Sequence, residues 1–239
     1  LRSTRERGSA LKMFTSNFSA GLAELATAFV PVLLGIVLHE VAHGWVASLR
    51  GDQTARMLGR LTLNPVPHID PMGLVMFAVT ALFTPIVFGW AKPVPVNERN
   101  MHNPRRDMML VSVAGPLTNM LLAVLFAVGL GLVVKFAPAD ATLSGGLWAF
   151  LFRMFRVGII ANFGLAWINL LPIPPLDGSH IVEGLLPPRL GWSYSRLGRY
   201  GFLLLLVLLM TGVVGAVLLP LIQISVNVAL TLVQWLLSL

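Results

Sequence analysis

His39, Glu40 and His43 form an H-E-x-x-H sequence, and these residue types at this spacing carry a specific chemistry. In an α-helix, residues four apart share one face about 6 Å apart along the axis, so both imidazoles reach one metal ion while the glutamate flanks it. Two neutral imidazoles suit Zn²⁺. The metal acidifies water, and a carboxylate beside it takes the proton as that water attacks an amide. Such a site needs a third protein ligand. The chain contains no cysteine, so His, Asp or Glu must supply it. The pattern lies inside an apolar run, Gly21 to Leu49, and not on a polar surface. Two histidines and a glutamate in lipid are costly unless they bind something, which makes them functional candidates by default.

The elements that must hold this group are those of a membrane protein. Of 239 residues, 56% are hydrophobic and 11% charged, and the mean hydropathy of +0.81 lies far from that of a soluble domain. The net charge of +7 is concentrated in short arginine clusters between apolar runs, a positive-inside pattern that argues against a nucleic-acid partner. The expected fold class is an all-α polytopic membrane protein, with about 5–6 transmembrane helices and short re-entrant or β-like loops near the site. Residues 1–20 read as a basic N-terminal segment suited to the membrane surface, and 21–239 as a single integral-membrane domain. Leu1–Leu11 has arginines but no compact apolar stretch, so no cleaved signal peptide is expected.

Gly21–Leu49 is long enough to cross, and His43 lies seven residues before Arg50, about 10 Å along the axis from that end. The site is therefore sunk just below one membrane face. Residues 50–70 have loop chemistry. His68 in this stretch is either a hydrogen-bonded turn residue or a substrate-gating or accessory metal residue. Residues 72–90 barely reach spanning length, and basic residues flank both ends. A re-entrant hairpin broken at Pro85 and Gly89 reconciles that with the charge rule; a full crossing is the alternative. Pro93, Val94, Pro95 and Val96 read as an extended edge to which a substrate strand adds.

Residues 108–134 form a span whose Asn119 makes a helix-to-helix hydrogen bond or takes part in catalysis. The loop 135–146 is the outer-face candidate. The span 147–171 opens with Arg153 and Arg156, which snorkel or pair with Asp140. Tyr200–Leu239 is too long for one crossing, and Gly212, Gly215 and Pro220 offer points of division. The stretch Asn169–Gly178 stands apart. Pro172, Pro174 and Pro175 forbid a regular helix while the chain is still apolar, a break tolerated only in a protein-lined cavity, and it delivers the carboxylate of Asp177 there. Asp177 is the natural third ligand. Its alternative role is the N-cap of a helix near Ser179–Leu186, which does not exclude metal binding.

Taken together, HEVAHGW at 39–45, GRLTLNPVPHIDPMG at 59–73, FGWAKPVPVN at 88–97, AGPLTN at 114–119 and NLLPIPPLDG at 169–178 resemble the site-2 protease family of intramembrane zinc metalloproteases, in its compact bacterial form without a PDZ or CBS domain. The resemblance covers about Leu33 to Arg189. It implies zinc held by His39, His43 and Asp177, with Glu40 as catalytic base. It also implies that Asn169 holds substrate backbone or stabilises the developing oxyanion. The implied substrates are single-span membrane proteins such as anti-sigma factors or signal-peptide remnants. The implied place is the bacterial cytoplasmic membrane with the active site toward the cytosol. A catalytically silent metal-binding or transport protein is the competing expectation; a purely structural site has no need of Glu40, and no repeats of a transporter kind are evident.

Overall fold

The computed structural model describes residues 2–83, 90–138 and 146–238. Among them the chain forms α1 (Arg2–Leu49), α2 (Thr54–Met57), α3 (Pro71–Phe83), α4 (Pro104–Phe136), α5 (Gly146–Asn169), α6 (Asp177–Leu185), α7 (Pro188–Ser195), α8 (Gly198–Met210) and α9 (Val213–Ser238), and no strand. Four helices have the length and apolarity to cross a membrane: Leu25–Leu49 within α1, then α4, α5 and α9. Pro71–Thr80 and α8 are shorter apolar helices. The all-α polytopic class therefore holds, but among the described residues four helices reach spanning length where about five to six were expected, because these two apolar helices are too short to cross by themselves. Residues 2–20 are helical and run without a break into the span of α1. The proposed turn at Pro85 and Gly89, most of the loop 135–146, and any contact of Asp140 with Arg153 or Arg156 lie outside the described residues. Arg153 Nε donates to its own helix at the Ala149 carbonyl, and Arg156 lies over the Phe152 ring. The long apolar tail divides at Gly212, whose φ of +76° ends α8; Gly215 and Pro220 lie within α9.

Helix α4 is the centre of the bundle and packs against α1, α5, α6 and α9. Lipid is as apolar as leucine, so helices associate in it through close van der Waals packing, which small residues allow. The core follows that rule: Ala123, Phe126, Ala127 and Leu130 of α4 meet Ile159 and Phe163 of α5 and Ala229 and Val233 of α9. Interhelical hydrogen bonds supplement it, such as that from Trp167 Nε1 of α5 to Ser225 Oγ of α9 at 3.0 Å. Large apolar side chains on the outer faces of α4, α8 and α9 stay exposed, as lipid contact requires.

Among the described residues, the β-like element is a single bridge. Prolines 93 and 95 keep residues 91–97 out of helix, and Ile69 and Ala91 form an isolated antiparallel bridge. Beside it, Lys92 N–H donates to the His68 carbonyl at 2.8 Å. This extended segment crosses from α3 back to α4 alongside the half of α1 that carries His39 to His43.

Candidate metal centre and active site

His39 and His43 sit one turn apart on α1, both about 8% exposed. Each is aimed by α4. His43 Nδ1 donates to the Val111 carbonyl at 2.7 Å. His39 Nδ1 lies 2.6 Å from Asn119 Oδ1, and because Asn119 Nδ2 donates to the Gly35 carbonyl and to Asn162 Oδ1, the atom facing His39 is the amide oxygen. Both imidazoles therefore carry their proton on Nδ1 and turn an Nε2 lone pair inward. The 2.9 Å between the two Nε2 atoms is then a meeting of two acceptors and not a hydrogen bond.

Asp177 completes the group from the other side. Residues 170–176 cannot remain helical with prolines at 172, 174 and 175, and the turn is braced by Tyr194 Oη, which donates to the Pro172 carbonyl. Helix α6 then begins at Asp177, preceded by Leu176 in the N-cap position, and no side chain caps it. The carboxylate is thus not spent as a cap. Its Oδ2 lies 3.1 Å from His39 Nε2 and 3.3 Å from His43 Nε2. It is buried with no hydrogen-bond donor. Gly178 is needed for this approach, because a Cβ there would strike the carbonyls of Leu170 and Leu171.

Three acceptor atoms without a proton among them, buried within 4.8 Å of one another, repel unless a cation lies between them. Two imidazoles and one carboxylate on a tight tetrahedral scale are a zinc donor set that leaves a fourth position open. Gly115 of α4 makes room for it, since a Cβ there would come within 2.5 Å of His43 Nε2 and 2.6 Å of His39 Cε1.

Glu40 faces the extended segment: its Oε2 accepts the Val94 N–H at 2.7 Å. Arg60 fastens the start of that segment, donating to the carbonyls of Lys92 at 2.8 Å and Pro93 at 3.2 Å. Val94 is buried and Val96 packs beside Ala47, Met101 and Val111. The Val94 carbonyl and both backbone groups of Val96 make no hydrogen bond to the described residues. The far end is fastened by Asp52, fully buried after α1, which accepts from the Asn97 N–H at 2.7 Å and from Asn100 Nδ2 at 3.1 Å.

Of the remaining expected residues, Asn119 meets the trio at His39, while His68 and Asn169 make their hydrogen bonds elsewhere. His68 is buried in a 3₁₀ turn, its Nε2 donating to the Thr62 carbonyl at 2.9 Å; among the described residues it joins no group of potential metal ligands. Asn169 ends α5 with Nδ2 on the Leu165 carbonyl at 2.9 Å. Asn119 makes its helix-to-helix bonds and in doing so touches His39. Sequence reasoning passed over Asn162, Asp52 and Arg60. A signal existed for Asn162: like Asn119, it is an amide inside an apolar span.

The profile of peptidase family M50 matches residues 27–212. Relatives carrying the name "Putative zinc metalloprotease" include YwhC of Bacillus subtilis, 38% identical over 81% of this chain and 84% of that protein. Another is Rip2 of Mycolicibacterium smegmatis, 35% identical over 75% of this chain and 64% of that protein. Rip2 of Mycobacterium tuberculosis H37Rv is 33% identical over 77% of this chain and 68% of that protein. No solved structure gives a significant match. With a profile covering most of its length, the chain belongs to peptidase family M50, the site-2 proteases, and is an integral-membrane zinc metalloprotease.

Proposed function

We propose that the protein hydrolyses peptide bonds within or next to the transmembrane segments of single-span membrane proteins, with His39, His43 and Asp177 holding zinc and Glu40 as general base. The observation that carries this reading is the hydrogen bond from Val94 N–H to Glu40 Oε2, which ties the carboxylate next to His39 in the chain to an extended backbone segment. Zinc held there supplies Lewis acidity toward water and the scissile carbonyl. The other steps belong to the chain. Glu40 takes the proton from the attacking water and passes it to the leaving amine. A helical amide is already hydrogen-bonded and shielded, so the substrate must unwind and needs new partners for its backbone. The Val94 carbonyl and the backbone groups of Val96, without partners among the described residues, offer them by strand addition, with Pro93 and Pro95 keeping the edge extended. Asn169 holds substrate backbone or the developing oxyanion once its amide leaves the Leu165 carbonyl.

The site lies about 9 Å from the end of α1, beside basic loops at 50–60, 92–106 and 189–199, which supports a cytosol-facing active site in the bacterial cytoplasmic membrane. Anti-sigma factors and signal-peptide remnants are the substrates this reading favours, with residues 21–239 acting as one domain. The test is Glu40→Gln, reconstituted with a single-span substrate. Zinc content is expected to hold and cleavage to vanish; cleavage that persists removes Glu40 as the base.

A further inference from the structure

Asn119 serves the site only in one of its two amide orientations. Flipped, it would point N–H groups at His39 Nδ1, and the imidazole would move its proton to Nε2, into the ligand position. One of the two acceptors that hold Asn119 Nδ2 in place is the Gly35 carbonyl at 3.0 Å; the other is Asn162 Oδ1 of α5 at 2.9 Å. Asn162 has an orientation of its own to settle, and backbone settles it. Its Nδ2 faces the Gly158 carbonyl at 2.9 Å and the Pro31 carbonyl at 3.4 Å, neither of which can donate. The amide oxygen of Asn162 must therefore face Asn119. Both asparagines have no solvent exposure, so water does not substitute for a lost partner.

Donation thus runs one way, from His39 through Asn119 and Asn162 to the carbonyls of Gly158 on α5 and Pro31 on α1. We propose that Asn162 is a positioning residue of the metal centre: it fixes the Asn119 amide and so keeps the His39 Nε2 lone pair available to zinc from two hydrogen bonds away. Gly35 belongs to the same device, because a Cβ there would strike Asn162 Oδ1. This inference rests on the reading of His39, His43 and Asp177 as zinc ligands. It goes beyond that reading by assigning a task to a residue on a helix that contributes no ligand.

The test is zinc affinity of the purified full chain in detergent, measured by competition with a chromophoric chelator on wild type, Asn162→Leu, Asn119→Leu, the double variant and His39→Ala. Loss of a metal site's supporting partner weakens binding by roughly 10- to 100-fold. Asn162→Leu is expected near tenfold, since Gly35 still holds Asn119, and Asn119→Leu nearer 100-fold. The double variant is expected to match Asn119→Leu within about twofold, because Asn162 acts only through Asn119. Wild-type affinity in Asn162→Leu overturns the proposal, and so does a double variant whose loss is the product of the single losses, the mark of a merely structural role. Should Asn162→Leu not accumulate in folded form, Gly35→Ala displaces the same amide and is expected to weaken zinc about tenfold; unchanged affinity there also overturns it. If His39→Ala leaves zinc binding intact, the ligand reading itself fails. If only the Asn162 and Gly35 variants are silent, the positioning role alone fails.

Discussion

Gly115→Ala tests the geometry of the metal centre with one methyl group. The added Cβ would stand 2.5 Å from His43 Nε2 and 2.6 Å from both His39 Cε1 and His43 Cε1, against an ordinary contact of 3.4 Å or more. Either the imidazoles or α4 must retreat by about 0.9 Å, whereas zinc sites tolerate ligand displacements of about 0.2 Å. The imidazoles have little freedom to retreat, because each is tied by Nδ1 to α4 itself, through Val111 and Asn119. Moving α4 away breaks those ties instead. A perturbation of ligands exceeds the 10- to 100-fold loss seen for supporting partners, so zinc affinity is expected to fall by more than about 100-fold, on the order of 3 kcal/mol. Helix formation itself is not at risk, since alanine is the better helix former. Gly164→Ala is the control: its nearest neighbour would be Ile222 Cδ1 at 3.8 Å, an ordinary contact. Chelator competition and thermal melting on both variants read the outcome. Wild-type zinc affinity with alanine at 115 would refute the reasoning, because the space it fills would then not be the ligand side of the histidines.

Three further outcomes follow from the same contacts. Asp177→Asn removes the charge from the proposed third ligand and is expected to cost at least about 100-fold in zinc affinity, while chelation of the wild type is expected to lower its melting temperature until zinc, and not magnesium, is returned. Arg60→Ala frees the carbonyls of Lys92 and Pro93; with two partly exposed charge-assisted bonds lost, KM is expected to rise by up to about tenfold with kcat little changed. Asp52 gives a pH dependence. Burial raises its pKa, but hydrogen bonds from Asn97, Thr54 and Asn100 outweigh that and hold it below its ordinary value of 3.8. A depressed folded pKa stabilises at all pH above the ordinary value and loses that contribution as pH falls through the folded one. Protection of residues 91–103 against hydrogen exchange, taken relative to an unstructured peptide at the same pH, is expected to hold at neutral pH and to fall only below the ordinary carboxylate range, whereas Asp52→Asn is expected to be weakly protected throughout; a variant protected like wild type would contradict the anchoring role.

What could be read from the sequence was whatever is local or chemically expensive. His39 and His43 share a face by helical spacing alone, and Asp177 stood out because three prolines break the helix and leave a carboxylate in apolar surroundings, although the start of a following helix was an alternative reason for it. The bundle of apolar helices followed from composition. Orientation about helix axes did not, since it depends on which faces meet: Asn162 reaches Asn119 only because α4 and α5 pack with those faces together, with Gly35 of α1 beside them. Asp52 and Arg60 looked like ordinary loop charges, and only the fold brings the 91–103 backbone to them. Nor did the sequence choose between Gly212, Gly215 and Pro220 as the break in the tail. The positive φ ends a helix at Gly212, whereas Pro220 is accommodated within α9.

The most direct measurement is zinc-edge anomalous scattering from crystals of the Glu40→Gln variant, which keeps the proposed ligands and stops turnover. One anomalous peak is expected within bonding distance of His39 Nε2, His43 Nε2 and an Asp177 carboxylate oxygen, with Gly115 alongside. A peak that excludes Asp177, or zinc bound elsewhere with the trio empty, would contradict the three-ligand centre on which the proposed mechanism depends.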